Sequence, residues 1–157
     1  GKSNIVGIEG LLWAENLRTV DLMEYLLLPK LLGVAERAWA KDPAWSVETD
    51  SARAGKLYRE AWSVFLNQLG KRELPRLDYF AGGFNYRIPA AGLKPENGKV
   101  WVNGQFPGLQ TRYTINGDDP QPGSKPVTGP IEEKGWIKVR VFDSRGRGSR
   151  ISMIEIR

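Results

Sequence analysis

The sequence contains no cysteine and no histidine among its 157 residues. This removes thiol and imidazole nucleophiles, zinc sites built from Cys and His, and disulfide bonds, while the redox compartment stays undetermined. Any proton transfer would have to use carboxylates, and no cofactor is expected. Long uncharged apolar runs are also missing, because the longest is interrupted by Pro29, Lys30, Glu36 and Arg37. A membrane span needs about 20 such residues, so no membrane partner is expected.

Clustering of charge is weak as well. The net charge is +5 and the pI about 9.6, but Lys and Arg occur in ones and twos along the chain. The densest group, residues 145–150, contains Gly146 and Gly148 and is interpreted as a solvated turn between two strands. A basic patch for nucleic acid is the alternative interpretation. Because no basic stripe is present, we expect no nucleic-acid partner.

The length limits what the chain can contain. A barrel of eight strands and eight helices needs about 250 residues, more than are present here. The chain also begins at Gly1 without an initiating Met and runs at once into an apolar segment. We therefore expect the C-terminal part of a longer protein.

A short apolar run, residues 5–8, precedes a segment that carries Trp13 and Glu15. Small and branched apolar residues in such a run favour a buried parallel strand, and parallel strands place functional side chains at their carboxyl ends. If the backbone there is still extended, side chains two positions apart point to the same side. The indole face and the carboxylate would then share a pocket suited to a sugar ring.

Two helices are predicted next. The first covers residues 19–40, with Thr19 as N-cap and Pro29 as a kink or a break. It is apolar nearly all round, which predicts burial on several sides. The second begins after Ser46 or Thr49, carries a single apolar stripe and ends at Gly70.

After Gly70 the hydrophobic period changes from helical to alternating. Short runs at 85–89, 99–105, 112–116, 137–143 and 151–157 are separated by turns, among them Glu96-Asn97-Gly98, which is typical of a small β-sandwich. The predicted organisation is residues 1–72 as a helical part that begins with the strand, 73–83 as a linker, and 84–157 as a β-sandwich. The predicted core of the sandwich consists of Trp101, Tyr113, Trp136, Val139, Val141 and Ile154.

Three motifs mark the first half: Ile-Glu-Gly-Leu-Leu-Trp-Ala-Glu at 8–15, Leu-Pro-Lys at 28–30 and Ala-Glu-Arg-Ala-Trp at 35–39. Together they resemble the last strand and helix of the catalytic barrel in the family 20 glycoside hydrolases, the β-N-acetylhexosaminidases that include bacterial chitobiases. The middle motif departs from the family pattern, with Leu28 in place of an aromatic residue and Lys30 in place of Arg. Neither change touches the expected sugar pocket.

The second half carries Leu77-Asp78-Tyr79, the segment 85–89, the segment 112–120, Gly129-Pro130-Ile131 and Ser149-Arg150. It resembles the immunoglobulin-like C-terminal domain of the same enzymes. The expected fold class is therefore an α+β fragment: the last strand and helices of a (β/α)8 TIM barrel, followed by an immunoglobulin-like antiparallel β-sandwich.

The resemblance implies an exo-acting enzyme that removes terminal β-linked N-acetylglucosamine or N-acetylgalactosamine with retention. The substrate's own acetamido oxygen is the nucleophile, an exception to the two-carboxylate scheme. The family's catalytic Asp-Glu pair and Tyr lie on earlier strands, and no adjacent Asp-Glu occurs in this sequence. No catalytic residue is therefore expected here. The resemblance implies that Trp13 lies under the sugar and that Glu15 accepts hydrogen bonds from its hydroxyls.

The same resemblance implies an N-acetylhexosamine glycan as partner and a periplasmic or secreted location in a bacterium. The apolar helix at 19–40 is expected to pack on the rest of the chain or to pair with another copy. The alternative function is a non-catalytic carbohydrate-binding or accessory module, which would expose a coplanar aromatic pair such as Trp101 and Trp136. Two simpler interpretations stay open: an internal ion pair at Glu36-Arg37, and a tight turn rather than a calcium loop at 116–120.

Overall fold

The computed structural model describes residues 4–13 and 15–156, in which helices precede antiparallel sheets. The chain divides into two compact units. The helical unit runs to Phe65 and includes Phe80–Arg87, and the β unit comprises Leu66–Tyr79 and the chain from Ile88 onward. No helix in the described part of the chain is both long and apolar enough to cross a membrane.

The apolar run at residues 5–8 does not form the predicted strand, since residues 5–13 have no regular secondary structure. A parallel strand forms only when its backbone hydrogen-bonds to a neighbour. Within the described residues, the helical unit contains no strand that could serve as one. The segment lies beside a later helix instead, because a Cβ on Gly10 would approach Val34 Cγ2 to 3.5 Å.

Helices α1, Val20–Leu27, and α2, Lys30–Trp39, replace the single predicted helix. Thr19 Oγ1 accepts a hydrogen bond from the Leu22 backbone N–H at 3.2 Å, which confirms the predicted N-cap. The division at Pro29 is also confirmed. The predicted burial is wrong for this chain, because no residue within either helix is buried and Trp39 is 90% exposed.

The segment 85–89, predicted as a strand, forms no sheet pairing and its first residues instead bond to the α1 region. The Asn85 backbone N–H donates to Glu24 Oε2 at 2.6 Å, and its side-chain amide donates to the Asp21 carbonyl at 3.1 Å. The Arg87 N–H donates to the Leu28 carbonyl at 3.0 Å. These bonds hold Asn85 and Arg87 against α1 within the helical unit.

Helix α3 spans Ser51–Gln68 and follows a short 3-10 turn at Ala44–Ser46. Neither Ser46 nor Thr49 caps it: Asp50 Oδ1 accepts from the Arg53 N–H at 2.7 Å. The predicted stop at Gly70 is also wrong, because a π turn, Leu69–Glu73, continues into helix α4, Leu74–Tyr79.

Gly70 serves packing rather than helix termination. A Cβ at this position would lie 2.0 Å from the Pro107 carbonyl oxygen, so only glycine permits the approach. Helix α4 lies within the segment predicted to be a linker, and its Leu74 and Asp78 are buried. A 3-10 turn at Phe80–Gly82 follows it.

The described part of the β unit, which ends at residue 156, contains six strands: β1 Gly92–Glu96, β2 Lys99–Asn103, β3 Gln110–Thr114, β4 Lys125–Pro126, β5 Gly135–Phe142 and β6 Ser152–Ile156. β1 and β2 pair in one sheet, and the other four form a sheet of order β4-β3-β5-β6, all antiparallel. The β1–β2 turn has φ 52° at Asn97 and 72° at Gly98, the signature of a type I′ hairpin. The predicted turn is confirmed there.

The core of the β unit follows the two-residue period of its strands. On β5, Ile137, Val139 and Val141 are buried, and the residues between them face outward. The predicted core positions Tyr113, Val139 and Val141 are confirmed, whereas Ile154 is only partly buried. Trp101 and Trp136 were predicted to be buried, and this is wrong: each is 50% exposed. Trp101 follows the buried Val100, and Trp136 precedes the buried Ile137. Because neighbouring side chains in a strand point to opposite faces, both Trp side chains point outward.

Candidate functional site

Trp13 and Glu15 are both exposed in the helical unit. Trp13 lies in irregular chain with 76% of its surface exposed, and Glu15 begins a turn with Asn16. Residue 14 lies outside the described residues. The expectation that the Trp13 and Glu15 side chains point to the same side assumed an extended backbone, whereas Glu15 lies in a turn. The backbone therefore does not support that expectation. Among the described residues, no hydrogen bond or ring contact fixes either side chain.

Glu36 and Arg37, on α2, form the ion pair proposed from the sequence. Arg37 Nη2 lies 3.2 Å from Glu36 Oε1, and both side chains are about 40% exposed, at 42% and 39% respectively. Exposed pairs of this kind contribute roughly 0–1 kcal/mol to stability. The pair is therefore a surface feature rather than an internal one.

The loop 116–120 is closed by side chains of the protein itself. Lys138 Nζ donates to the Gly117 carbonyl at 2.6 Å and to Asp119 Oδ1 at 2.8 Å. Asn116 Nδ2 donates to Asp118 Oδ2 at 2.6 Å, and Gly117 takes a positive φ of 87°. Within the described part of the chain, no group of three or more acidic residues could hold a metal. The geometry is that of a tight turn.

Sequence reasoning missed a cluster of three polar side chains in the β unit, Tyr113, Lys125 and Glu133. Tyr113 Oη donates to Glu133 Oε1 at 2.8 Å, and Lys125 Nζ donates to the same oxygen. The Lys125 ammonium also lies 5.2 Å from the centre of the Tyr113 ring, a cation–π contact. The residues are 12 and 8 positions apart, so no local spacing could have indicated the cluster.

The charges of this cluster stabilise each other. The hydrogen bond from Lys125 lowers the pKa of Glu133 to about 2, and the bond to Glu133 raises the pKa of Lys125. Burial raises the pKa of Tyr113. A general acid or base needs a pKa near the working pH, and the pKa values of all three groups are shifted away from neutral pH. The contacts among these three side chains connect β3, β4 and the following loop.

A second missed network connects α4 to the turn after β5. Ser144 Oγ donates to Asp78 Oδ2 at 2.5 Å, and Arg147 Nη2 lies 3.5 Å from Asp78 Oδ1. Arg147 Nε donates to Asp143 Oδ2 at 2.7 Å. Both carboxylates are buried and both are paired, as buried charges must be. This network anchors the segment that was predicted to be a linker.

Trp101 and Trp136 meet only part of the requirement for a carbohydrate-binding face. Both are half-exposed, but they lie on β2 and β5, which belong to different sheets. Among the described residues, no ring contact pairs them with each other or with a further aromatic residue. Their half-exposure is therefore the part of the requirement that the structure meets.

Comparison with known proteins gives two family matches in order along the chain. The catalytic domain of glycosyl hydrolase family 20 matches residues 1–42. The chitobiase/beta-hexosaminidase C-terminal domain matches residues 73–151, half of the chain.

Individual relatives agree with these matches. An N,N'-diacetylchitobiase from Vibrio harveyi is 33% identical over 121 residues, covering 72% of this chain and 14% of the relative. A beta-hexosaminidase from Vibrio vulnificus is 30% identical over 158 residues, covering 84% of this chain and 18% of the relative. A beta-hexosaminidase from Porphyromonas gingivalis is 26% identical over 163 residues, covering 97% and 18% respectively. The chain thus spans less than a fifth of the length of each of these relatives. It belongs to the chitobiase and β-hexosaminidase family of glycosyl hydrolase family 20 and corresponds to the C-terminal part of such a protein.

Proposed function

We propose that the chain is part of an exo-acting β-N-acetylhexosaminidase that hydrolyses terminal β-linked N-acetylglucosamine or N-acetylgalactosamine. The observation that carries this proposal is the order of the two family matches, with the catalytic domain at residues 1–42 followed by the C-terminal domain at 73–151. The two domain types occur in the sequence order expected of such an enzyme.

The proposed organisation assigns residues 1–72 to the end of a (β/α)8 barrel, 73–83 to a linker and 84–157 to an immunoglobulin-like β-sandwich. In the whole enzyme, residues 5–8 would pair with a neighbouring barrel strand, and exposed apolar side chains of α1 and α2, such as Val20, Leu31 and Trp39, would pack on other barrel elements. The antiparallel sheets of the β unit support the sandwich assignment.

Trp13 and Glu15 are proposed to contact the sugar in the whole enzyme. The exposure of both side chains leaves them free to meet a ligand. An indole offers an apolar face to the C–H groups of a pyranose, and a carboxylate accepts hydrogen bonds from its hydroxyls. Their role is to hold the ring, while the proton transfer and the orientation of the acetamido group fall to an Asp-Glu pair elsewhere in the protein.

Activity measurements test this division of labour. The 157-residue chain has no adjacent Asp-Glu pair, so we expect it not to hydrolyse an aryl β-N-acetylglucosaminide, whereas the longer protein hydrolyses it. The measurement is release of the aryl alcohol at equal molar concentrations of the two proteins. Turnover by the chain at a rate near that of the longer protein would contradict the proposed location of the catalytic residues.

The location and the assembly of the protein are also proposals. Secretion or export to a bacterial periplasm would bring the enzyme to glycan substrates, and the relatives compared above are bacterial proteins. The chain alone exposes apolar side chains on α1 and α2, including Val20, Leu31 and Trp39. Such a surface favours self-association of the isolated chain. Sedimentation velocity over a concentration series would detect it, and a monodisperse monomer would contradict it.

A further inference from the structure

An aromatic cleft lies between α2 and α3 within the helical unit. Its volume is about 200 Å³, and its lining includes Gly33, Glu36 and Arg37 on one side and Tyr58 and Trp62 on the other. The first three residues are spaced as i, i+3 and i+4, so they share one face of α2. This aromatic cleft is separate from Trp13 and Glu15, neither of which lines it.

Gly33 accounts for the open space in the aromatic cleft. A Cβ on this residue would meet no atom within 4 Å, and its φ is not in the left-handed region. Larger side chains normally fill the space between packed helices, because cavities cost stability. The absence of a side chain at position 33 therefore leaves the space beside α2 open.

The walls of the aromatic cleft are fixed by contacts between rings. Trp45 and Tyr58 meet edge to face, with centroids 5.5 Å apart and planes at 89°. Trp62 and Phe65 lie with centroids 5.6 Å apart at 34°. Tyr58 and Trp62 nevertheless stay exposed. The rings are thus held in place by their neighbours and still offer apolar surface to the cleft.

The rim of the aromatic cleft carries both hydrogen-bond donors and hydrogen-bond acceptors. The Glu36–Arg37 pair places carboxylate acceptors beside guanidinium donors, and the side chains remain partly exposed. Arg37 uses one of its N–H groups on Glu36, which leaves further donors on the same fork. A ligand with an apolar face and adjacent hydroxyl groups would satisfy the rings and the rim together.

We propose that the aromatic cleft binds one sugar residue of a glycan, as a second binding site away from the catalytic pocket. A pyranose combines apolar C–H faces with neighbouring hydroxyls, which matches the rings and the ion pair. The cleft is smaller than the roughly 300–1,000 Å³ typical of drug-sized ligands, which limits the occupant to about one ring. The glycan class rests on the proposed function, whereas the position of the site rests on the geometry of α2 and α3.

The test follows the six indole N–H signals of the 157-residue chain by NMR, assigned through single Trp→Phe variants. The titrant is the β-1,4-linked disaccharide of N-acetylglucosamine. We expect the signals of Trp45 and Trp62 to shift with saturation, while those of Trp101 and Trp136 do not. Gly33→Leu fills the cleft and is expected to weaken binding by about tenfold or more. Gly55→Leu, the same change on α3 away from the cleft, is the matched control and keeps the wild-type affinity.

Three outcomes would overturn the second site. The first is no shift of Trp45 or Trp62 at millimolar disaccharide, and the second is equal affinity in Gly33→Leu. The third is an equal response to cyclohexanol, a ring of similar size with one hydroxyl, which would mark the cleft as a site for an apolar side chain. Shifts confined to Trp13 would reject this site and leave the proposed function intact. Hydrolysis by the longer protein tests that function independently.

Discussion

Replacing Asp78 with alanine is expected to destabilise the β unit by about 2 kcal/mol. The carboxylate has 1% of its side-chain surface exposed and accepts one short hydrogen bond, from Ser144 Oγ at 2.5 Å. Hydrogen bonds to charged groups contribute roughly 1.5–3 kcal/mol. The contact with Arg147, at 3.5 Å, is long and adds little. Arg147 also keeps Asp143 as its partner, so no buried charge is left uncompensated.

Asp143→Ala is expected to cost more, about 3–5 kcal/mol, because it removes a buried carboxylate that pairs with Arg147 and also accepts from two backbone N–H groups. Asp143 Oδ1 accepts from the backbone N–H groups of Arg145 at 3.0 Å and Arg147 at 2.8 Å. Its Oδ2 accepts from Arg147 Nε at 2.7 Å. Removal of these acceptors frees the turn after β5 and breaks the 2.7 Å ion pair between Asp143 and Arg147.

Native-state hydrogen exchange measures the loss of stability of the β unit itself. The amides of Val139 and Val141, in the core strand β5, report the opening of the β unit. Glu96→Ala removes an exposed ion pair with Lys94 in the same unit and serves as control, with an expected change within about 0.5 kcal/mol. If Asp78→Ala lowers the exchange free energy no more than Glu96→Ala does, the proposed anchoring of α4 is wrong.

Four further predictions concern other parts of the chain. The lowered pKa of Glu133 stabilises the fold above pH 4.5, and this contribution is lost as the pH falls towards 2. Glu133→Gln removes the carboxylate, so the stability of this variant, monitored by circular dichroism, is expected to fall less between pH 4.5 and 2 than that of the unchanged chain. In the longer protein, Trp13→Ala is expected to lower kcat/KM on the order of a hundredfold through misplacement of the sugar. Glu15→Gln is expected to lower it about ten- to a hundredfold, from roughly 1.5–3 kcal/mol; unchanged kinetics, or lost activity with a collapsed Tm, would remove both residues from the sugar site. Gly70→Ala forces a Cβ to 2.0 Å from a backbone oxygen and is expected to cost about 1–3 kcal/mol, whereas Gly123→Ala, with open space around it, is expected to be neutral in urea unfolding.

The features that sequence predicted correctly depend on neighbours along the chain. The Thr19 cap needs only an N–H three residues later, and the Asn97-Gly98 turn needs only two residues that tolerate positive φ. The division at Pro29 follows from the missing backbone donor of that residue. Each of these depends on a few consecutive residues, so the pattern was sufficient.

The failures depend on partners that are distant in sequence. The reason for glycine at position 70 is a carbonyl at position 107, which no local pattern encodes. The sequence shows that side chains in β2 and β5 alternate between two faces, but it does not show which face packs on the core. Trp101 and Trp136 were therefore predicted on the wrong face. The strand expected at residues 5–8 requires neighbouring strands, and its absence has the same origin. Trp13 and Glu15 were identified by their spacing after the apolar run and by the family resemblance, and their function stays a prediction.

The contact between Lys138 and the loop 116–120 has a consequence for how this enzyme family member responds to its surroundings. An ammonium group on the adjacent strand holds the Gly117 carbonyl and the Asp119 carboxylate, which are the kinds of oxygen that calcium usually collects. Because this cation is covalently attached, its local concentration does not vary with the composition of the medium. We therefore expect the shape of the loop to be independent of dissolved calcium and to be unchanged by a chelator.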